Sequence, residues 1–159
     1  LQDWVRLYPE KLPDGQPFAG YKVRTLGGNT LTVDRNSPQF PDFVSQVERF
    51  VLVNADTGQD IRRVFNGDVI DLSDLGNVPL TIRAGTFRNV VGSVRFVYDG
   101  ATVQIENAPP YALAGNTGGT YNPFNFTPGT HVLTATPFGQ NNAEGIGGVP
   151  LTVRFTVQN

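Results

Sequence analysis

His131 is the only histidine in the chain and cysteine is absent, so the side chains that most often act as nucleophile, general base or soft metal ligand are nearly missing. No serine or aspartate stands around His131 in the spacing of a nucleophile elbow or a catalytic triad. Its neighbours Thr130 and Val132 predict a place on the polar side of a strand, where a histidine satisfies a hydrogen bond. The acids offer a second possibility, because Asp56, Asp60, Asp68, Asp71 and Asp74 fall close together and Ca2+ takes several such oxygens converging from loops. Their spacing departs from an EF-hand loop and no glutamate closes it, so turn formation and capping account for most of them, with Ca2+ the alternative. The glutamates Glu10, Glu48, Glu106 and Glu144 lie in no motif that would pair carboxylates across a glycosidic bond. No catalytic residue and no metal ligand set is predicted, and the chain reads as a non-enzyme.

Residues 107–128 are rich in proline, glycine and asparagine yet carry Tyr111, Tyr121, Phe124 and Phe126. Exposed rings in such a loop would stack on a sugar face, with asparagines fixing the hydroxyls; Tyr111, Tyr121, Asn122 and Phe124 are the candidate ligand-binding residues. The competing and favoured reading is that the rings pin the loop to the body, as a tyrosine at a sandwich corner does through its hydroxyl. Asn125-Phe126-Thr127 fits the N-glycosylation acceptor pattern, which matters only in a eukaryotic secretory pathway. Arg62-Arg63, and Arg24 with Arg35, lack the basic excess and interleaved aromatics of a nucleic-acid surface. The glycines precede no helix start, so no phosphate loop is expected.

These residues must be positioned by strands. Period-2 alternation recurs between clusters of Gly, Pro, Asn and Asp, and no segment holds a capped 3.6-residue period. Residues 47–53 predict a strand with Val47, Arg49, Val51 and Val53 on one face and Glu48, Phe50 and Leu52 on the other, both well buried. Residues 60–65 and 68–72 read as short strands around Asn66-Gly67, a dipeptide suited to positive φ. Residues 78–84 set Val78, Leu80, Ile82 and Ala84 inward against a wet face of Pro79, Thr81 and Arg83. Residues 91–98 and 101–106 form a hairpin across Asp99-Gly100, and 129–138 and 149–157 pair as the last two strands with Val132, Ala135, Leu151, Val153 and Phe155 in the core. In the first 45 residues, 4–8 and 21–33 look extended, the latter broken at Leu26-Gly27-Gly28-Asn29, and 38–43 looks like a linker. This predicts a β-arm or hairpin over 1–45 and a sandwich over 46–159.

Composition agrees. A chain of 159 residues with 39% hydrophobic and 16% charged residues can bury a core without disulfides, while 18 Gly and 12 Pro leave little room for helices. Twelve basic residues against fourteen acidic ones, a net charge of −2, predict no general attraction to nucleic acid or to an anionic membrane. No apolar run is long enough to span a bilayer as a helix, and a start at Leu1 with no methionine suggests a processed chain or an excerpt from a longer one.

From Val47 onward the order of short motifs resembles an immunoglobulin- or fibronectin-like module of large secreted and surface proteins of environmental bacteria. The matching stretches are Leu52-Val53-Asn54-Ala55-Asp56-Thr57, Gly67-Asp68-Val69-Ile70-Asp71-Leu72, Leu80-Thr81-Ile82-Arg83-Ala84, Val91-Gly92-Ser93-Val94-Arg95-Phe96, Glu106-Asn107-Ala108-Pro109-Pro110-Tyr111-Ala112-Leu113 and His131-Val132-Leu133-Thr134-Ala135-Thr136-Pro137. The resemblance implies an all-β, immunoglobulin-like antiparallel sandwich, an extracellular or cell-surface location and no chemistry, and it carries over no functional residue. The expected role is a non-catalytic structural or adhesive module, a filament or surface-layer subunit that associates with its own kind or with neighbouring domains through the N-terminal arm; the alternative is polysaccharide binding through residues 107–128.

Overall fold

The computed structural model describes residues 21–24, 30–33, 45–87, 91–145 and 147–159. Strands β1 (Tyr21–Arg24) and β2 (Thr30–Val33) pair antiparallel, Tyr21 opposite Val33. The extended stretch expected at 4–8 and the linker at 38–43 lie outside the described residues. From Ser45 the chain runs through β3 (Gln46–Asn54), β4 (Asp60–Val64), β5 (Val69–Asp71), β6 (Leu80–Phe87), β7 (Ser93–Tyr98), β8 (Ala101–Glu106), the short pair β9 (Asn116–Thr117) and β10 (Thr120–Tyr121), then β11 (Gly129–Phe138) and β12 (Leu151–Gln158).

Two sheets face each other, one ordered β4-β3-β6 and the other β5-β12-β11-β7-β8. All pairings between these strands are antiparallel except that of β5 with β12. Phe50, Leu52, Ile82 and Ala84 from the first sheet meet Val94, Phe96, Leu133, Ala135, Val153 and Phe155 from the second in one core. A fully buried Phe or Leu contributes about 1.5–3 kcal/mol, so this shared core, more than any polar contact, holds the sheets together. The architecture is an immunoglobulin-like β-sandwich.

Asp99 (φ 50°) and Gly100 (φ 85°) close β7 and β8 with two successive positive-φ residues, the tight turn whose twist matches the strands. Asn66-Gly67 does something different. Only Gly67 is left-handed (φ 89°), and the chain uses the turn to leave β4 in one sheet and enter β5 in the other. β5 runs parallel beside Thr156–Gln158 of β12, and just ahead of β12 the start of β3 makes a parallel bridge through Val47 N–H to Val149 O (3.1 Å) and Val149 N–H to Ser45 O (2.9 Å).

Three face assignments differ from the sequence expectation. A bulge between Val47 and Arg49 inserts Glu48, so Val47 and Phe50 both point into the core, where strict alternation had separated them. Opposite the core, Thr81 is fully buried, not wet. In β11 the core residues are Leu133 and Ala135 while Val132 is half-buried outside, which turns His131 inward; the pairing of His131 with Phe155 fixes that parity. Residues 111–113 act as a vestigial strand on β6, with Ala84 N–H to Tyr111 O (2.8 Å) and Leu113 N–H to Ile82 O (2.9 Å).

Candidate functional site

An open cleft of about 510 Å3 lies on the outer face of the three-stranded sheet, beside the loop that follows β8. Its floor is β3 and β6. Arg49 sits opposite Gly85 and Val51 opposite Arg83, so the two arginines are diagonal neighbours on one face. A methyl group on Gly85 would come within 2.8 Å of Cγ and Nε of Arg49, which shows the Arg49 side chain lying flat on the glycine backbone.

Arg83 reaches sideways. Its Nη2 donates to both carboxylate oxygens of Asp60, at 2.9 and 2.7 Å. Asp60 pairs with Val53 on the far side of β3, so the ion pair straddles the central strand and its aliphatic stem crosses the face that carries Val51 and Val53. This explains how two valines on an outward face become buried, at 6% and 0% exposure. As an ion pair it contributes no more than about 1 kcal/mol, because Asp60 is well exposed.

The walls come from the loop and a turn. Pro109 and Pro110, joined by a cis peptide, line one side. Tyr121 lines another, its ring 3.9 Å from where a methyl on Gly58 would stand. Burial raises the Tyr121 phenol above its ordinary 10.0, with Arg83 opposing and Asp60 reinforcing that shift, so the hydroxyl stays neutral beside the ion pair. The cleft therefore offers guanidinium donors, a carboxylate acceptor and an aromatic wall.

Of the four residues expected to bind a ligand, Tyr121 lies on this cleft with its ring accessible. Tyr111 also borders it but is 2% exposed, and its hydroxyl donates to Val91 O (2.7 Å) and accepts from Val91 N–H (3.0 Å), so the ring pins the loop. Asn122 is spent on the loop itself, donating to Ala114 O (3.2 Å) and through its backbone to Gly115 O (3.1 Å). Phe124 packs on Tyr98 (4.9 Å) and Phe126 (5.0 Å). Arg49 and Arg83 were not singled out for binding in the sequence and Asp60 was weighed only as one of five possible Ca2+ ligands, since no motif marks the three and only the strand register brings them together.

His131 lies in the other sheet, 8% exposed, with Nδ1 2.7 Å from Asp99 Oδ2 and Nε2 2.8 Å from Thr127 O. Burial opposes its protonation, but the bonds to the Asp99 carboxylate and the Thr127 carbonyl outweigh it and hold the imidazole above its ordinary 6.5. Both ring nitrogens face acceptors, so the imidazolium is the form that satisfies both, and neither nitrogen is available to act as a base. Asp68 and Asp71 hold turns, accepting from the backbone N–H groups of Phe65 and of Ser73 and Asp74. The backbone N–H of Phe65 and the guanidinium of Arg62 hold Asp68 below the usual carboxylate range, and hydrogen bonds from Ser73, Gln158 and Asp74 lower Asp71 to about 2. Among the described residues no three His, Asp or Glu side chains group as metal ligands, and no helix is long and apolar enough to cross a membrane.

No family model matches the chain, and no curated protein matches it. A solved structure of the fibronectin(III)-like modules of Clostridium thermocellum CbhA is similar at 17% identity, covering 60% of this chain and 90% of that one with a TM-score of 0.39.

Proposed function

We propose that this chain is a non-catalytic structural or adhesive module of an extracellular or surface protein, which associates through its N-terminal residues 1–45, the arm of one copy adding to a sheet edge of a second. The observation that supports this most is β8. It ends the five-stranded sheet with no described strand beyond it, exposes Val103 (40%) and Ile105 (37%), and carries no Pro, Lys or Arg to discourage pairing. The other sheet ends in β4, where Asp60, Arg62 and Arg63 guard the edge. Val103→Lys with Ile105→Lys in the full chain changes only exposed side chains, so assembly should be lost with the melting temperature unchanged. Assembly indifferent to the two lysines would reject the edge, and assembly that survives removal of residues 1–43 would reject the arm.

A second reading is carbohydrate binding, and the cleft bordered by Tyr121 favours it. Its seat is the outer face of β3 and β6 together with the loop, not the loop's rings alone.

A further inference from the structure

We infer that the outer-face cleft takes a glycan bearing carboxylates, a polyuronate, with Arg49 and Arg83 meeting the carboxylate and Tyr121 lying against the sugar ring. This rests on the carbohydrate reading and narrows it. Three features carry it. The first is charge: two guanidinium groups and one carboxylate line the cleft, and Glu48, which meets Arg49 at a loose 3.5 Å, lies outside the lining. Arg83 spends one nitrogen on Asp60 and keeps its planar fork beside the cleft, the geometry that suits a carboxylate.

The second feature is the mixture of donors and acceptors. Asp60 is exposed enough to accept further hydrogen bonds, which an acidic peptide side chain has no donors to supply but sugar hydroxyls next to a carboxylate do. The third is preorganisation. Arg49 is held flat by the missing side chain of Gly85, and Tyr121 is fixed through the short β9–β10 pair, so neither pays the full ordering cost on binding. The volume suits a small ligand segment of the size that ordinary binding clefts accept.

Gly85 supplies a diagnostic substitution. Its φ lies outside the left-handed region, so alanine fits the backbone, but the new methyl must push aside the flexible end of Arg49 without removing its charge. The experiment is calorimetric titration of the full chain with hexagalacturonate, its methyl ester and poly-glutamate at physiological salt, for wild type, Arg49→Gln, Gly85→Ala and Tyr121→Ala, with melting curves for each. The expected result is saturable binding of hexagalacturonate, at least ten-fold weaker binding of the ester and of poly-glutamate, and a comparable loss in each folded variant. Equal binding of the ester would overturn the charge assignment while leaving carbohydrate binding standing. Equal binding of poly-glutamate, or binding unaffected by Gly85→Ala and Arg49→Gln, would overturn the assignment to this cleft. No binding of either glycan would end both readings.

Discussion

Asp99→Asn removes one charge from a turn and should change how stability depends on pH across the whole domain. Asp99 binds His131 through one oxygen (2.7 Å) and the backbone N–H of Val132 through the other (2.8 Å), tying the β7–β8 turn to β11, while the far side of His131 ties in the loop at Thr127. Asparagine keeps the shape and tolerates the positive φ of this position, but it has one acceptor oxygen where aspartate has two, so His131 Nδ1 meets an amide NH2 if Val132 N–H keeps its bond, and the charge assistance to the imidazolium is lost. A hydrogen bond to a charged group contributes about 1.5–3 kcal/mol, and Asp99 is 45% exposed, so solvent screening lowers the expected cost to about 1–2 kcal/mol near pH 6. The native pKa of His131 lies above its ordinary 6.5, so its contribution is complete below 6.5 and is lost as pH rises through the native value. Burial works against the Asp99 charge, but the bonds from His131 and Val132 prevail and hold it below 3.8, so that part is present above 3.8 and lost as pH falls through the native value. Urea unfolding at pH 5, 6, 7, 8 and 9 should show wild type losing stability on the alkaline side, with the variant nearly flat there. As the only histidine, His131 also titrates alone in a proton NMR spectrum. A wild-type midpoint at or below 6.5, or the same alkaline slope in both proteins, would refute the reasoning.

Thr81 is fully buried and its hydroxyl has no partner among the described residues, so Thr81→Val, equal in shape, should stabilise the fold by about 1 kcal/mol in chemical denaturation. Tyr111→Phe strips Val91 of a donor and an acceptor and should cost about 2 kcal/mol, with faster proteolysis in residues 107–128. A methyl on Gly148 would stand 2.3 Å from the Ser45 backbone oxygen, so Gly148→Ala should break the seam between β3 and the start of β12 and cost about 1–3 kcal/mol; an unchanged melting temperature would show that the seam holds nothing together.

The strands were legible where alternation was uninterrupted. Leu80, Ile82 and Ala84 in β6, the Asp99-Gly100 hairpin and the β11–β12 pair each follow from local pattern and turn chemistry. A bulge is not local in that sense: the extra residue at Glu48 is defined only against β6, so the face of Val47 could not be read from β3 alone. Thr81 looked like a wet-face residue because nothing in its own strand announces that Arg83 will reach across β3 to Asp60. The aromatic loop was correctly marked as anchored, yet which ring stays accessible depends on residues 111–113 pairing with β6. The cleft is the least legible feature, because its two arginines come from different strands and its carboxylate from a third.

The central proposal, association through the β8 edge, is tested most directly by light scattering of the full chain over a concentration series, wild type beside Val103→Lys/Ile105→Lys. A mass that rises with concentration in wild type and stays monomeric in the variant is the predicted result. A monomer at every concentration, or the same rise in both proteins, would contradict it.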